Sequence, residues 1–120
     1  MHDGSTLITG VIGEGGKSKE EGYDIARLVG LNLISTIKDQ VGDLDNVEQI
    51  VKVFGIVNSQ TSFKEQPFIL NGVSDLMMEV FDKEVGYHAR SAIGVNTLPF
   101  DVSVEVECIV RIKDSTPIKK

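Results

Sequence analysis

Residues 102–112 alternate between oily and polar side chains with a period of two. Val102, Val104, Val106, Cys108, Val110 and Ile112 fall on one side, and Ser103, Glu105, Glu107 and Arg111 on the other. Only an extended chain sends alternate residues to opposite faces, so the segment is predicted to be a strand with one face in a core. An oily sheet face must be covered, and two other stretches have the periodicity to cover it.

Ser18-Lys19-Glu20-Glu21 has the form of a capping box, in which the serine side chain accepts from the N3 amide and the glutamate reaches back to the N-cap amide. The helix it opens is predicted to run to about Val41, with Gly42 ending it in the left-handed conformation. Ile25, Leu28, Val29, Ile34, Ile37 and Val41 form one stripe at three- and four-residue steps. Leu31 and Leu33 widen that stripe, which predicts cover on more than one side. A second helix is predicted from near Glu65, with Pro67 in its first turn and Phe68, Ile69, Val73, Leu76, Met77, Val80 and Phe81 on its apolar face, ending at Gly86.

The remaining segments read as strands and turns. Residues 49–57 are an almost unbroken apolar, β-branched run, predicted to be a central strand buried on both faces. Residues 5–12 read as a short strand entering a glycine-rich turn, residues 88–95 as a strand and residues 96–101 as a turn around Pro99. The order is β-α-β-α-β-β in a single domain over residues 1–120, with two helices on one face of one sheet: an open-faced α+β sandwich. Ile109 interrupts the polar face of the last strand, so that face is expected to be covered by association of subunits.

Charge and composition narrow the function classes. A formal net charge of −6, with basic residues clustered only in the tail from Lys113 to Lys120, argues against nucleic acid as the main partner, because phosphate binding draws its affinity from basic patches. No run of 18 apolar residues is available to span a membrane. Met1-His2-Asp3-Gly4 has neither the basic nor the apolar part of a secretory signal, and Cys108 is the only cysteine. Both features point to a reducing compartment, the cytoplasm.

Nucleotide binding fails on spacing. Gly16-Lys17-Ser18 could end a phosphate loop, but its first glycine would have to stand at position 11, which is Val11, and Gly10 comes one residue too early. Gly13 and Gly15 are followed by Ser18 where a dinucleotide motif needs a third glycine. A turn leading into a capped helix remains.

Gly86-Tyr87-His88-Ala89-Arg90-Ser91-Ala92 is more informative. Arg90 opens a strand whose next same-face residues, Ala92 and Gly94, are small and leave room for a ligand. A guanidinium fork can hold a carboxylate through two parallel hydrogen bonds. The common alternative is a surface arginine paired with Glu84 or another acid. His88 could be a general base or a structural histidine; with only His2 besides it, no metal constellation arises. Glu105 and Glu107 share a strand face and could supply a general acid or base, or could be a solvated face. Cys108, Met77 and Met78 read as core.

Several segments together resemble the YjgF/YER057c/UK114 family, also called the Rid or L-PSP family, in a branch with a His-Ala-Arg-Ser motif. They are Glu21-Gly22-Tyr23-Asp24-Ile25-Ala26-Arg27-Leu28, Gly42-Asp43-Leu44-Asp45-Asn46-Val47, Val51-Lys52-Val53-Phe54-Gly55-Ile56-Val57-Asn58-Ser59, the stretch from Gln66-Pro67 through Asn71-Gly72 to Leu76, His88-Ala89-Arg90-Ser91-Ala92-Ile93-Gly94-Val95, Leu98-Pro99 and Val104-Glu105-Val106-Glu107. The resemblance implies a chorismate-mutase-like α+β fold assembled as a homotrimer, with clefts between subunits. It also implies hydrolytic deamination of reactive 2-imino or enamino acids to 2-keto acids and ammonia, with no cofactor or metal and a small carboxylate-bearing molecule as ligand. In that scheme Arg90 clamps the carboxylate, Glu105 positions or activates water, and Asn71, His88 and the Ala92 amide line the cleft. A non-catalytic carboxylate-binding or regulatory protein of the same fold is the alternative; the older family label, endoribonuclease or translation inhibitor, fits poorly with the acidic composition. Two departures stand out. The family's usual N-terminal β-hairpin is not matched, and His88 replaces the proline common before Ala-Arg.

Overall fold

The computed structural model describes residues 7–118. Helix α1 spans Lys19–Val41, and its capping box forms as predicted: the Glu21 amide donates to Ser18 Oγ, and the Ser18 amide donates to Glu21 Oε1, each at 3.0 Å. These bonds hold the Glu21 carboxyl below its ordinary range, the Ser18 amide contributing most. Ser18→Ala is expected to destabilise the fold by about 1 kcal/mol, read as a lower urea midpoint at unchanged slope. Gly42 ends α1 with positive φ as expected, but its ψ of −54° lies outside the left-handed helical region. The buried stripe holds Ile25, Val29, Ile34, Ile37 and Val41 together with Ala26, Gly22 and Gly30. Leu31 is 48% exposed, so α1 is covered along one stripe and not on several sides.

A short 3-10 turn at Leu44–Asn46 leads into β1, Val47–Asn58. Helix α2, Gln66–Val85, follows, with Glu65 at its N-cap and a proline in its first turn. Asp82 interrupts it at φ 67°, and its carboxylate accepts from the Glu84 and Val85 amides at 2.8 and 3.1 Å, recapping the last turn. Val80, expected on the apolar face, is exposed, whereas Leu70 is fully buried.

Strand β2, Ala89–Val95, pairs parallel with β1, and β3, Val104–Ile112, pairs antiparallel on its other side, giving the order β2-β1-β3. Both helices pack on one face, α2 against β1 and β2 and α1 against β3. This mixed three-stranded sheet with two helices is the α+β architecture read from the sequence.

Three readings need correction. β1 is buried on one face only: Ile50, Val53, Gly55 and Val57 face the helices, while Lys52 is exposed and Phe54 and Ile56 are half-buried. An apolar run looks the same whether its second face meets a layer of its own chain or none. Residues 7–12 do not join the sheet as a strand; Thr9 bridges Val102, and Ile12 bridges Lys17 and Ser59. Ser5 and Thr6, the start of that predicted strand, lie outside the described residues. Ser103, placed on the polar face, is fully buried, because the segment at 7–12 supplies an acceptor: Ser103 Oγ donates to the Gly10 carbonyl at 2.7 Å.

The glycine turn uses its amides internally. Gly13 N–H donates to Lys17 O, Gly16 N–H to Gly13 O and Lys17 N–H to Val11 O, so these amides are not presented to a phosphate. A Cβ on Gly16 would lie 2.2 Å from the Val11 carbonyl oxygen, which accounts for glycine there. Around Pro99, Phe100 and Asp101 both take positive φ, and buried Asn58 ties this turn down by donating to Asp101 Oδ1 and Val102 O. Among the described residues no helix is long and apolar enough to cross a membrane, and no group of His, Cys, Asp and Glu could hold a metal ion.

Candidate active site

Register decides which side chains share a face. Arg90 and Cys108 stand beside Val53, Ala92 and Val106 beside Gly55, and Gly94 and Val104 beside Val57. These belong to the helix-covered face. Ser91 and Glu107 stand beside Phe54, and Ile93 and Glu105 beside Ile56, on the opposite, open face.

Arg90 therefore sits on the helix side at the outer edge of the described sheet. Its guanidinium leans onto α2, where Asn71 and Ser74, three residues apart, share one helix face. Arg90 Nη1 donates to Asn71 Oδ1 at 2.8 Å and to Ser74 Oγ at 3.2 Å. No ion pair to Arg90 forms among the described residues, where Lys19–Glu65, Arg27–Glu79 and Arg111–Glu48 do pair. The pairing with Glu84 allowed by the sequence is absent. A half-buried guanidinium with one nitrogen held by neutral oxygens keeps its remaining donors for an anion.

His88 joins the same cluster. Its Nε2 lies 2.8 Å from Ser74 Oγ and its Nδ1 2.6 Å from the Gly86 carbonyl oxygen. The carbonyl can only accept, so Nδ1 carries a hydrogen and the neutral ring presents the lone pair of Nε2 to the serine hydroxyl. The turn carrying His88 is fixed by Gln49, whose side-chain NH2 shares its two hydrogens among the carbonyls of Glu84, Val85 and Tyr87. Ser74, Met78, Tyr87, His88 and Arg90 line a shallow depression of about 210 Å³.

The structure thus brings Asn71 and His88 to Arg90, and Ala92 follows two residues along on the same strand face. Within one chain it does not bring Glu105, which lies two strands away on the other side of the sheet. Half-buried Glu105 and exposed Glu107 flank Phe54 and Ile56 in a hollow of the open face. Ile93 and Ile109 are 44% and 61% exposed there. Cys108 packs against the core as expected, and burial, then the Glu107 charge, push its thiol up and away from the nucleophilic thiolate. Sequence reasoning missed Ser74, Tyr87 and Gln49; only the three-residue spacing of Asn71 and Ser74 was available as a signal.

The family described as "YjgF/chorismate mutase-like, putative endoribonuclease" matches residues 2–112. The chain belongs to this YjgF family. Protein TCP17 of Trypanosoma cruzi is 46% identical to this family member over 94 residues, which are 78% of the chain and 59% of that protein, so the chain spans 59% of the length of that curated relative. The crystal structure of Atu1372 from Agrobacterium tumefaciens, a protein of unknown function, superposes with a TM-score of 0.87 at 35% identity, over 94% of this chain and 71% of that one. A "putative endoribonuclease" from Shewanella oneidensis MR-1 gives 0.86 at 31% identity, over 93% and 73%. The YjgF fold implied by the resemblance is therefore the fold of this chain.

Proposed function

We propose that this YjgF-family chain is a cytoplasmic hydrolytic deaminase of small 2-imino or enamino acids, acting as a homotrimer with its sites at clefts between subunits. The observation that carries the reading is Arg90: a guanidinium aimed by Asn71 and Ser74, without an acidic partner among the described residues, beside an open depression. Its free donors clamp the substrate carboxylate, helped by the Ala92 amide. Water adds to the imine carbon, ammonia leaves, and a 2-keto acid remains. Glu105 of a neighbouring copy, presented on the open sheet face, takes the proton from water and returns one to the departing nitrogen. Exposed Ile93 and Ile109 give that face a reason to associate.

The test generates imino acids in situ with an amino-acid oxidase and follows ammonia release above the spontaneous rate. Wild type is expected to accelerate release, and Glu105→Gln to lose about 100-fold or more of that acceleration, the usual share of a general acid or base. Wild-type release no faster than the buffer control would sink the reading. The separation of Arg90 and Glu105 on opposite faces favours a second reading, carboxylate binding without turnover. Under that reading Glu105→Gln leaves ligand affinity intact and there is no rate to lose. An endoribonuclease activity is not favoured for a chain of net charge −6.

A further inference from the structure

We propose that Ser74 and His88 form a nucleophile–base pair that hydrolyses small carboxylic esters, an activity separate from imine hydrolysis. A serine inside a helix commonly faces solvent or turns its hydroxyl back to the carbonyl four residues earlier. Ser74, in the middle of α2, instead sets its Oγ 2.8 Å from His88 Nε2. With the His88 Nδ1–H committed to the Gly86 carbonyl at 2.6 Å, Nε2 of the neutral ring is the accepting nitrogen and takes the serine O–H. Hydroxyl, imidazole and a third group that fixes the tautomer are the three parts of an activated serine, here with a backbone carbonyl as the third.

That carbonyl is rigidly placed. A Cβ on Gly86 would meet the Met77 carbonyl oxygen at 2.5 Å and that of Asp82 at 2.7 Å, so the turn is packed tightly onto α2. Arg90 Nη1 donates to the same Ser74 oxygen at 3.2 Å. A positive charge at that distance stabilises negative charge developing on the serine oxygen, and in this scheme the remaining guanidinium donors take the oxygen of the attacked carbonyl. Ser74, His88 and Arg90 all border the 210 Å³ depression, whose other walls are Met78 and the 69%-exposed Tyr87. A depression this small with two apolar walls suits a short acyl group.

Each step balances within these groups. Ser74 Oγ bonds to the ester carbon as its proton passes to His88 Nε2, and the carbonyl electron pair moves onto the oxygen beside Arg90. Collapse of that intermediate breaks the bond to the alcohol, which leaves with the proton from His88 Nε2. Water then attacks the acyl group on Ser74, gives its proton to His88 Nε2, and the acid departs as Ser74 Oγ recovers that proton. Neither Glu105 nor a second subunit takes part.

The experiment uses the full chain with 4-nitrophenyl acetate as substrate and a fluorophosphonate as serine-reactive probe. The expected result is turnover that falls at least about 100-fold in Ser74→Ala and in His88→Gln, the scale seen when parts of a serine machinery are removed. Peptide mass mapping of wild type is expected to place a single phosphonyl adduct on Ser74, with loss of ester turnover in step with labelling. That mapping needs no variant to fold, and circular dichroism checks those that are made. Ester hydrolysis unchanged in Ser74→Ala, an adduct on another residue, or no adduct overturns the proposal. Ammonia release is not among the readouts, so this failure leaves the imine reading untouched.

Discussion

Arg90→Ala is expected to lower kcat/KM for imino acid hydrolysis by about two to three orders of magnitude. Each hydrogen bond to a charged group is worth about 1.5–3 kcal/mol, and a two-pronged carboxylate clamp lost entirely removes about 3–4 kcal/mol. Asn71 and Ser74 engage only Nη1 of the guanidinium, which leaves donors enough for such a clamp. Arg90→Lys keeps the charge but not the planar fork, so it is expected to fall between wild type and alanine, at about one order of magnitude below wild type. The pair separates geometry from charge. If binding were purely Coulombic, lysine would match arginine; if Arg90 were a surface residue, all three proteins would agree within twofold, and the carboxylate-clamp proposal would fail. Melting curves for each variant control for the loss of the Asn71 and Ser74 contacts.

Local patterns carried most of this fold into the sequence. The alternation in β3, the capping box of α1 and the periodic stripes of both helices depend on neighbours within a turn or a strand, and all were recovered to within about two residues. What was not legible depends on contacts far along the chain or on single backbone angles. Ser103 is buried because Gly10, 93 residues away, accepts its hydroxyl. The interruption of α2 at Asp82 needs a positive φ that no pattern announces in an aspartate. Arg90 shows the same limit: spacing could not choose between Glu84 and a ligand, since the answer lies in how the turn at 86–88 sets β2 against α2. The resemblance to the family named Asn71 and His88 beside it, but Ser74 looked like any helical serine. Glu105 was named by its strand face and by the resemblance, but what stands opposite it was not legible, because no helix of the described residues covers that face.

Gly72→Ala is expected to be strongly destabilising, by about 2–3 kcal/mol or more. Gly72 packs directly on the backbone of α1: a Cβ there would lie 2.3 Å from the Tyr23 carbonyl oxygen and 3.0 Å from the Arg27 amide nitrogen. Both are backbone atoms of α1, so relief requires the helices to part. Parting strains the contacts that flank the crossing, the Tyr23–Asp75 hydrogen bond at 2.6 Å and the Arg27–Glu79 pair. Overpacking of this kind costs about 1–3 kcal/mol in yielding cores and more where backbone must move, against a gain of about 1 kcal/mol for alanine over glycine in a helix. Gly30→Ala is the matched comparison. Its Cβ would meet the end of the Leu76 side chain at 3.0 Å and the Val73 Cα at 3.6 Å, contacts that a rotation of leucine relieves. There the propensity gain offsets the crowding, and stability is expected to stay within about 0.5 kcal/mol of wild type. At fixed protein concentration the Gly72 variant is expected to melt about 8–12 °C lower and the Gly30 variant close to wild type. Equal Tm values for the two would mean that the helix crossing yields as easily as a leucine side chain, and that Gly72 is not what sets the distance at which α2 presents Asn71 and Ser74 to Arg90.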